Sequence, residues 1–151
     1  MKVSDILRVK GSTLYTTTPE RLLAEALTLM ADMDIGSLVV MEHGDLVGML
    51  TFREVIDAIS RNGGTVGQTI VRTVMDDAPL TCTPETPMDE VRRMMLLRHA
   101  RYMPVMDNRA LMGVISLYDV AKAVVDAQDF ENRMLKAYIR DWPEEDGDKP
   151  A

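Results

Sequence analysis

Two stretches of the sequence share one pattern, Gly48-Met49-Leu50-Thr51-Phe52-Arg53-Glu54 and Gly113-Val114-Ile115-Ser116-Leu117-Tyr118-Asp119. Each passes from a glycine through an apolar run to a hydroxyl residue, and an acidic residue follows three positions later. The match continues outward, because a shift of 65 residues aligns 16–59 with 81–124 without a gap and leaves 12 of the 44 positions identical. The sequence is therefore a tandem duplication.

Each copy is predicted to fold in the order β-α-β-β-α. The first helix is expected to open at Thr18-Pro19-Glu20 or Thr83-Pro84-Glu85, with the threonine as N-cap and the proline at the first helical position. Apolar runs between turn signals predict strands over 37–41 and 46–50, and again over 102–106 and 111–115. Second helices are predicted over 52–61 and 117–127.

The duplication divides the chain into a first repeat at 1–64, a second repeat at 65–127 and a C-terminal segment at 128–151. Because about 60 residues bury too little surface for a robust core, the two repeats are expected to pack sheet against sheet about a pseudo-twofold axis. The result is a mixed α/β (α+β) fold. The C-terminal segment is predicted to form a further helix over 129–141 and then an acidic, disordered tail.

The composition excludes several classes of protein. A net charge of −7 and a pI near 4.8 oppose binding of nucleic acid or of an anionic membrane to the surface as a whole. A single cysteine excludes an intramolecular disulfide framework, and with only two histidines the sequence has few side chains that could ligate a metal. No apolar run reaches the roughly 18 residues of a transmembrane helix and no secretory signal opens the chain, so a cytoplasmic protein is expected.

The hydroxyl and acid pairs, Thr51 with Glu54 and Ser116 with Asp119, have two interpretations. A hydroxyl residue followed three positions later by an acid is the capping box of a helix N-terminus. The same geometry suits a nucleoside phosphate, because free N–H groups at a helix start bind phosphate and a carboxylate one turn on accepts from ribose hydroxyls. Recurrence at the same place in both copies favours the second role without excluding the first.

Together the doubled β-α-β-β-α pattern, the Thr-Pro-Glu triplets, the run Met103-Pro104-Val105-Met106-Asp107 and the two glycine-hydroxyl-acid stretches resemble a pair of CBS domains, or Bateman module. The resemblance covers about residues 3–127. It implies a flat disc of two units with adenosine-containing ligands in the clefts between them: AMP, ADP, ATP, S-adenosylmethionine or NAD-type dinucleotides. It also implies that two modules associate as a homodimer.

The resemblance assigns residues to two clefts, each of which joins the late stretch of one repeat to the early strand of the other. In cleft A, phosphate and ribose are expected at Ser116 and Asp119, and the base near Ile35, Gly36, Ser37, Lys10, Ser12 and Thr13. In cleft B, the same roles are expected for Thr51 and Glu54, with Ala100, Arg101, Tyr102, Met75, Asp77 and Arg98 around them. Glu54 stands where the family usually has aspartate, so cleft A is expected to bind more tightly.

A basic run in this acidic chain contains Arg92, Arg93, Arg98, His99 and Arg101. These side chains either neutralise a polyphosphate or form an ordinary solvated helix face. Tyr102 either stacks on a base or packs at the seam between the repeats.

Three classes of function remain. The first is a regulatory module that binds an adenine nucleotide, requires no metal, and signals energy or redox state through its dimer or a partner protein. The second is a ligand-free oligomerisation module, whose helical faces, including 130–139, bind another chain. An enzyme is the third and is not expected, because the sequence shows no nucleophile with an activating base.

Overall fold

The computed structural model describes residues 1–11 and 13–140. Ser12, predicted in cleft A, and the tail predicted within 141–151 lie outside the described residues. The first repeat contains α1 (Val3–Lys10), β1 (Thr16–Thr17), α2 (Leu23–Met33), β2 (Ser37–Glu42), β3 (Asp45–Thr51) and α3 (Phe52–Arg61). A short 3-10 helix (Val71–Thr73) is followed by α4 (Met88–Arg98), β4 (Tyr102–Asp107), β5 (Ala110–Ser116) and α5 (Leu117–Arg140).

Each repeat builds one antiparallel hairpin, and the two hairpins have the same register. Ser37 lies opposite Thr51 in the first, and Tyr102 lies opposite Ser116 in the second. Both hairpins also shift register at equivalent positions, after Val40 and after Val105. The predicted α/β fold of two duplicated units is therefore confirmed, with the four hairpin strands within one residue of their predicted ends.

The strand that precedes the hairpin differs between the repeats. In the first repeat β1 pairs in parallel with β2, whereas the second repeat has only an isolated bridge between Cys82 and Val105. Pro104 explains the difference. Its counterpart Val39 donates its N–H to the carbonyl of Tyr15 at 3.3 Å, and proline has no N–H to donate.

The two Thr-Pro-Glu triplets do not open helices, so that prediction is wrong. Each lies in a turn closed by a backbone hydrogen bond, from Arg21 N–H to the Thr18 carbonyl at 3.3 Å and from Thr86 N–H to the Thr83 carbonyl at 3.1 Å. The fixed φ of proline suits the second position of such a turn as well as the first turn of a helix. The helices begin three residues after each glutamate.

The two hydrophobic cores exchange their N-terminal segments. Val3 and Ile6 of α1 are buried with side chains of the second repeat, among them Val91. In return, Val71 is fully buried in the core of the first repeat, beside residues such as Leu38. Separation of the repeats would therefore expose apolar surface in both cores. The domain boundaries at 64 and 127 stay a prediction.

Gly48 and Gly113, the first residues of the two repeated stretches, permit this exchange. A β-carbon on Gly48 would lie 2.6 Å from the sulfur of Met75 and 2.8 Å from the carbonyl oxygen of Asp76. A β-carbon on Gly113 would lie 2.8 Å from a methyl carbon of Leu7. Both glycines are needed because another segment of the chain passes directly over them.

The helix α5 continues without a break where the sequence predicts a boundary between two helices. Its 24 residues span about 36 Å. The predicted C-terminal helix is present as its second half, which carries exposed apolar side chains including Phe130, Met134 and Leu135. None of the helices in the described ranges has both the length and the apolar character that a bilayer crossing requires.

Candidate functional site

Two open clefts lie where residues of both repeats meet. Cleft A has a volume of about 760 Å³, and residues 35–37 of the first repeat line it together with Ser116 of the second. Cleft B has a volume of about 340 Å³, and Thr51 and Glu54 of the first repeat line it together with residues 100–102 of the second. In both clefts, the late stretch of one repeat lies beside the early strand of the other.

Most of the residues predicted for cleft A lie on its wall. These are Ser116, Ile35, Gly36, Ser37, Lys10 and Thr13. Asp119 does not line the cavity. Its side chain is 17% exposed and accepts hydrogen bonds from Ser116 of its own repeat and from Lys10, which does line the cavity.

Ser116 and Asp119 form a reciprocal cap at the start of α5. The Ser116 N–H donates to the Asp119 carboxylate at 2.9 Å, and the Asp119 N–H donates to the Ser116 hydroxyl at 3.1 Å. The Leu117 N–H is also used, because it donates to the Arg101 carbonyl at 2.8 Å. The capping interpretation is therefore correct for these residues, and two amides of the first turn already have partners before any phosphate arrives.

Lys10 supplies the third bond to this cap. Its ammonium group lies 2.7 Å from the Asp119 carboxylate and 2.8 Å from the carbonyl oxygen of Val114. The last residue of α1 is thereby tied to the end of β5 and to the first turn of α5.

The predicted members of cleft B divide in the same way. Its wall contains Thr51, Glu54, Ala100, Arg101, Tyr102 and Arg98. Met75 and Asp77 do not line this cavity, so the structure does not bring them to the other predicted members. Met75 packs over Gly48 within the core of the first repeat. Asp76 lines the cleft instead, because its N–H and carbonyl exchange hydrogen bonds of 2.9 Å with Met49.

Thr51 and Glu54 form a capping box of their own. The Glu54 carboxylate accepts from the Thr51 N–H at 2.7 Å and from the Thr51 hydroxyl at 2.8 Å. The Thr51 oxygen accepts from the Arg53 N–H at 3.3 Å. The longer side chain of glutamate therefore folds back onto its own helix start.

Arg101 and Tyr102, predicted for cleft B alone, line both clefts. They occupy the loop and first strand position between the two cavities. The Tyr102 ring lies against Gly36, where its Cζ atom is 2.9 Å from the point at which a β-carbon would stand. Tyr102 thus packs at the seam between the repeats and also presents a surface to each cleft.

The basic run is divided by the fold. Arg98 and Arg101 reach the clefts, whereas Arg92 lines a separate groove between α4 and α5. His99 is the left-handed C-cap of α4, and its carbonyl accepts a hydrogen bond from the Arg53 guanidinium. The cations at the clefts are therefore Lys10 and Arg101 in cleft A, and Arg53, Arg98 and Arg101 in cleft B.

Cys82 lies in the core of the second repeat, away from both clefts. Burial raises the pKa of its thiol to about 12, so the neutral form dominates at physiological pH. Within residues 1–11 and 13–140, no three His, Cys, Asp or Glu side chains lie together as a metal site would require.

Sequence reasoning missed several apolar and aromatic wall residues. In cleft A these include Tyr15, Leu117, Tyr118 and Ala121; in cleft B they include Phe52, Ile56, Pro79 and Leu80. Phe52 directly follows Thr51, and Leu117 directly follows Ser116. Because these are equivalent positions of the two repeats, the sequence could have predicted that both residues line a cleft. Pro79 and Leu80 lie in a connection that has no such equivalent.

Comparison with known proteins agrees with this architecture. A family model described as CBS domain matches residues 3–61 and again residues 71–126. The chain belongs to the CBS-domain family. Its two copies are CBS domains, and the clefts described above lie between the members of a CBS pair.

Related CBS-domain proteins match most of the chain. The CBS domain-containing protein CBSX3, mitochondrial, of Arabidopsis thaliana is 30% identical over 148 residues, covering 91% of this chain and 71% of that protein. A CBS-domain containing protein of Agrobacterium tumefaciens has a structure with a TM-score of 0.78 at 30% identity, covering 82% of this chain and 98% of that one. CBSX2 in complex with AMP shares the fold, with a TM-score of 0.70 at 21% identity over 84% of this chain and 98% of that chain.

Proposed function

We propose that this CBS-domain protein is a regulatory module that binds an adenosine-containing ligand in cleft A. The ligand class is AMP, ADP, ATP or a NAD-type dinucleotide. The observation that carries the proposal is the composition of cleft A, in which Ser116 of one repeat faces residues 35–37 of the other across a cavity of about 760 Å³. The AMP complex of its structural relative CBSX2 supports the same ligand class.

The size of cleft A supports a nucleotide. Small-molecule sites have volumes of about 300–1,000 Å³, and cleft A lies well within this range. Cleft B, at about 340 Å³, lies at its lower end. Cleft A is therefore the proposed principal site, with Asp119, the aspartate to which the family resemblance assigns the ribose, as the proposed partner of the ribose hydroxyls.

The charges around the clefts support an anionic ligand. Lys10 and Arg101 face cleft A in a chain whose net charge is −7. Since the N–H groups of Leu117 and Asp119 are already bonded, these two side chains are the better partners for phosphate. Tyr102 offers an aromatic face for the base.

Binding at a junction of two repeats gives the module a way to signal. A ligand that contacts both repeats stabilises the arrangement in which those contacts are made, and shifts the population towards it. The shift would reach a second copy in a homodimer, or a regulated partner protein. The proposed role is binding and not catalysis.

Titration calorimetry of the purified chain with AMP, ATP and NAD tests this function. We expect at least one saturable isotherm, and a rise in melting temperature with the same ligand. In Asp119→Asn, the amide can still accept from Ser116 N–H, but its loss of charge should weaken binding by about 1–3 kcal/mol. Glu54→Gln is the matched control and should leave cleft A unchanged. Equal affinity in the wild type and in Asp119→Asn would refute the assignment.

A ligand-free oligomerisation module is the second candidate. The second half of α5 favours it, because Phe130, Met134 and Leu135 are each more than half exposed and such a surface is typical of an interface. Absence of any saturable binding, together with a concentration-dependent dimer in sedimentation velocity that is lost in a Phe130→Ser, Leu135→Ser variant, would support this candidate over the first.

A further inference from the structure

The ion pair between Lys10 and Asp119 places a cation of the N-terminal helix on the carboxylate that the proposed function reserves for ribose. The Lys10 ammonium lies 2.7 Å from the Asp119 carboxylate, and the side chains are 40% and 17% exposed. The ammonium also donates to the carbonyl oxygen of Val114 at 2.8 Å. Lys10 is at the same time a wall residue of cleft A.

Cleft B has the same local fold without a lysine at the position equivalent to Lys10. Met49 is the counterpart of Val114, and its carbonyl accepts from a backbone N–H, that of Asp76, at 2.9 Å. Glu54 is the counterpart of Asp119, and its carboxylate accepts from the N–H and hydroxyl of Thr51. The lysine is thus an addition specific to cleft A.

The pair has different consequences for charged and neutral ligands. Adenosine brings no anion to draw Lys10 away, so its ribose meets a carboxylate whose Oδ2 already accepts from the Ser116 N–H and from the Lys10 ammonium, and whose charge Lys10 partly neutralises. A nucleoside monophosphate brings its own anion, which carries more charge than a carboxylate and accepts through three oxygens. An ammonium group on a flexible four-carbon stem can move from one anion to the other at little cost.

We propose that Lys10 determines the specificity of cleft A for phosphorylated nucleosides by exchanging Asp119 for the ligand phosphate. This inference rests on the proposed function. Without phosphate, Lys10 occupies the ribose carboxylate; with phosphate, it turns to the ligand and leaves Asp119 free to accept from the ribose hydroxyls. The exchange also releases the end of α1 from the first turn of α5.

Lys10→Gln tests the exchange, because glutamine keeps an N–H donor for the Val114 carbonyl and removes the charge. Arg8→Gln is the matched control, since Arg8 lies on the same helix but pairs with Asp5, at 3.6 Å. Both variants and the wild type are titrated with AMP and with adenosine, after circular dichroism and a melting curve establish that they are folded.

The two ligands should respond with opposite signs. In Lys10→Gln, we expect AMP to bind about tenfold more weakly, as for loss of a charge-assisted hydrogen bond. Adenosine should bind about threefold more tightly, because the partly exposed ion pair no longer competes. Arg8→Gln should change neither affinity.

The possible failures are distinguishable. If both ligands bind the wild type and Lys10→Gln weakens both equally or changes neither, the lysine has only a structural role and this inference is wrong. If the wild type binds neither AMP nor adenosine, this inference is wrong, whereas the proposed function is wrong only if ATP and NAD also give no saturable isotherm.

Discussion

The phenol oxygen of Tyr102 occupies the space that a side chain on Gly36 would need. The two residues belong to different repeats, and both line cleft A. Phe52 closes the same space from the side of cleft B, with its ring 3.4 Å from the position of the missing β-carbon. This contact therefore joins the walls of the two clefts.

Gly36→Ala should displace the Tyr102 ring and alter both clefts. Since the obstructing atoms belong to the end of a side chain that can rotate, we expect a stability loss of only about 1 kcal/mol. The loss of binding free energy for a ligand in cleft A should be larger than this loss of stability. The measurement is a double-mutant cycle with Tyr102→Ala, in which the stability cost of Gly36→Ala should vanish. A cost that persists without the ring would contradict the contact.

Gly48→Ala should destabilise the chain more than Gly113→Ala, although the two glycines are equivalent in sequence. A β-carbon at 48 meets a backbone carbonyl oxygen at 2.8 Å, which cannot move alone, whereas one at 113 meets only the Leu7 side chain. We expect losses of about 3 and about 1 kcal/mol respectively. Urea unfolding of the two variants measures them, and the reverse order would contradict the exchange of core segments.

The Cys82 thiol should resist modification in the folded chain. Its pKa is raised from 9.0 to about 12 by burial, so the folded state binds the proton more tightly than the unfolded state. Stability from this group is complete below pH 9 and is lost as the pH rises from 9 to 12. In urea unfolding at a series of pH values, the Cys82→Ala variant should not show this loss of stability between pH 9 and 12. A rapid reaction of the native wild type with a thiol reagent at pH 8 would contradict the burial of the thiol.

Arg101→Ala should weaken binding of ATP more than binding of adenosine, because Arg101 lines both clefts and its guanidinium is the proposed partner of the polyphosphate. We expect a loss of about tenfold for ATP and little change for adenosine. Arg92→Ala is the control, since Arg92 lines a different groove. Calorimetry with both ligands measures the difference, and equal losses would place Arg101 outside the phosphate site.

The repeated pattern was sufficient to predict the hairpins and α3, because apolar runs between turn signals and a capping box are local signals. Thr51 with Glu54 and Ser116 with Asp119 were both found in this way. Local signals failed at Thr18-Pro19-Glu20, because a turn and a helix start have the same composition there. They also failed at the break predicted before residue 129, where the helix simply continues.

Contacts between distant segments could not be predicted from either repeat alone. The burial of Val3 in the second core and of Val71 in the first depends on how the two copies exchange segments. The bond between Lys10 and Asp119 joins positions 109 residues apart. No periodicity or spacing encodes such a pair, and the second copy offers no equivalent lysine to reveal it.

The central claim is that both repeats contribute to one nucleotide site in cleft A. A crystal structure of the chain saturated with AMP tests it most directly. We predict density for the nucleotide between Ser116 and residues 35–37, with the ribose hydroxyls within hydrogen-bonding distance of Asp119 and the phosphate close to Lys10 or Arg101. AMP bound elsewhere on the surface, with cleft A open and the Lys10–Asp119 pair intact, would contradict the claim.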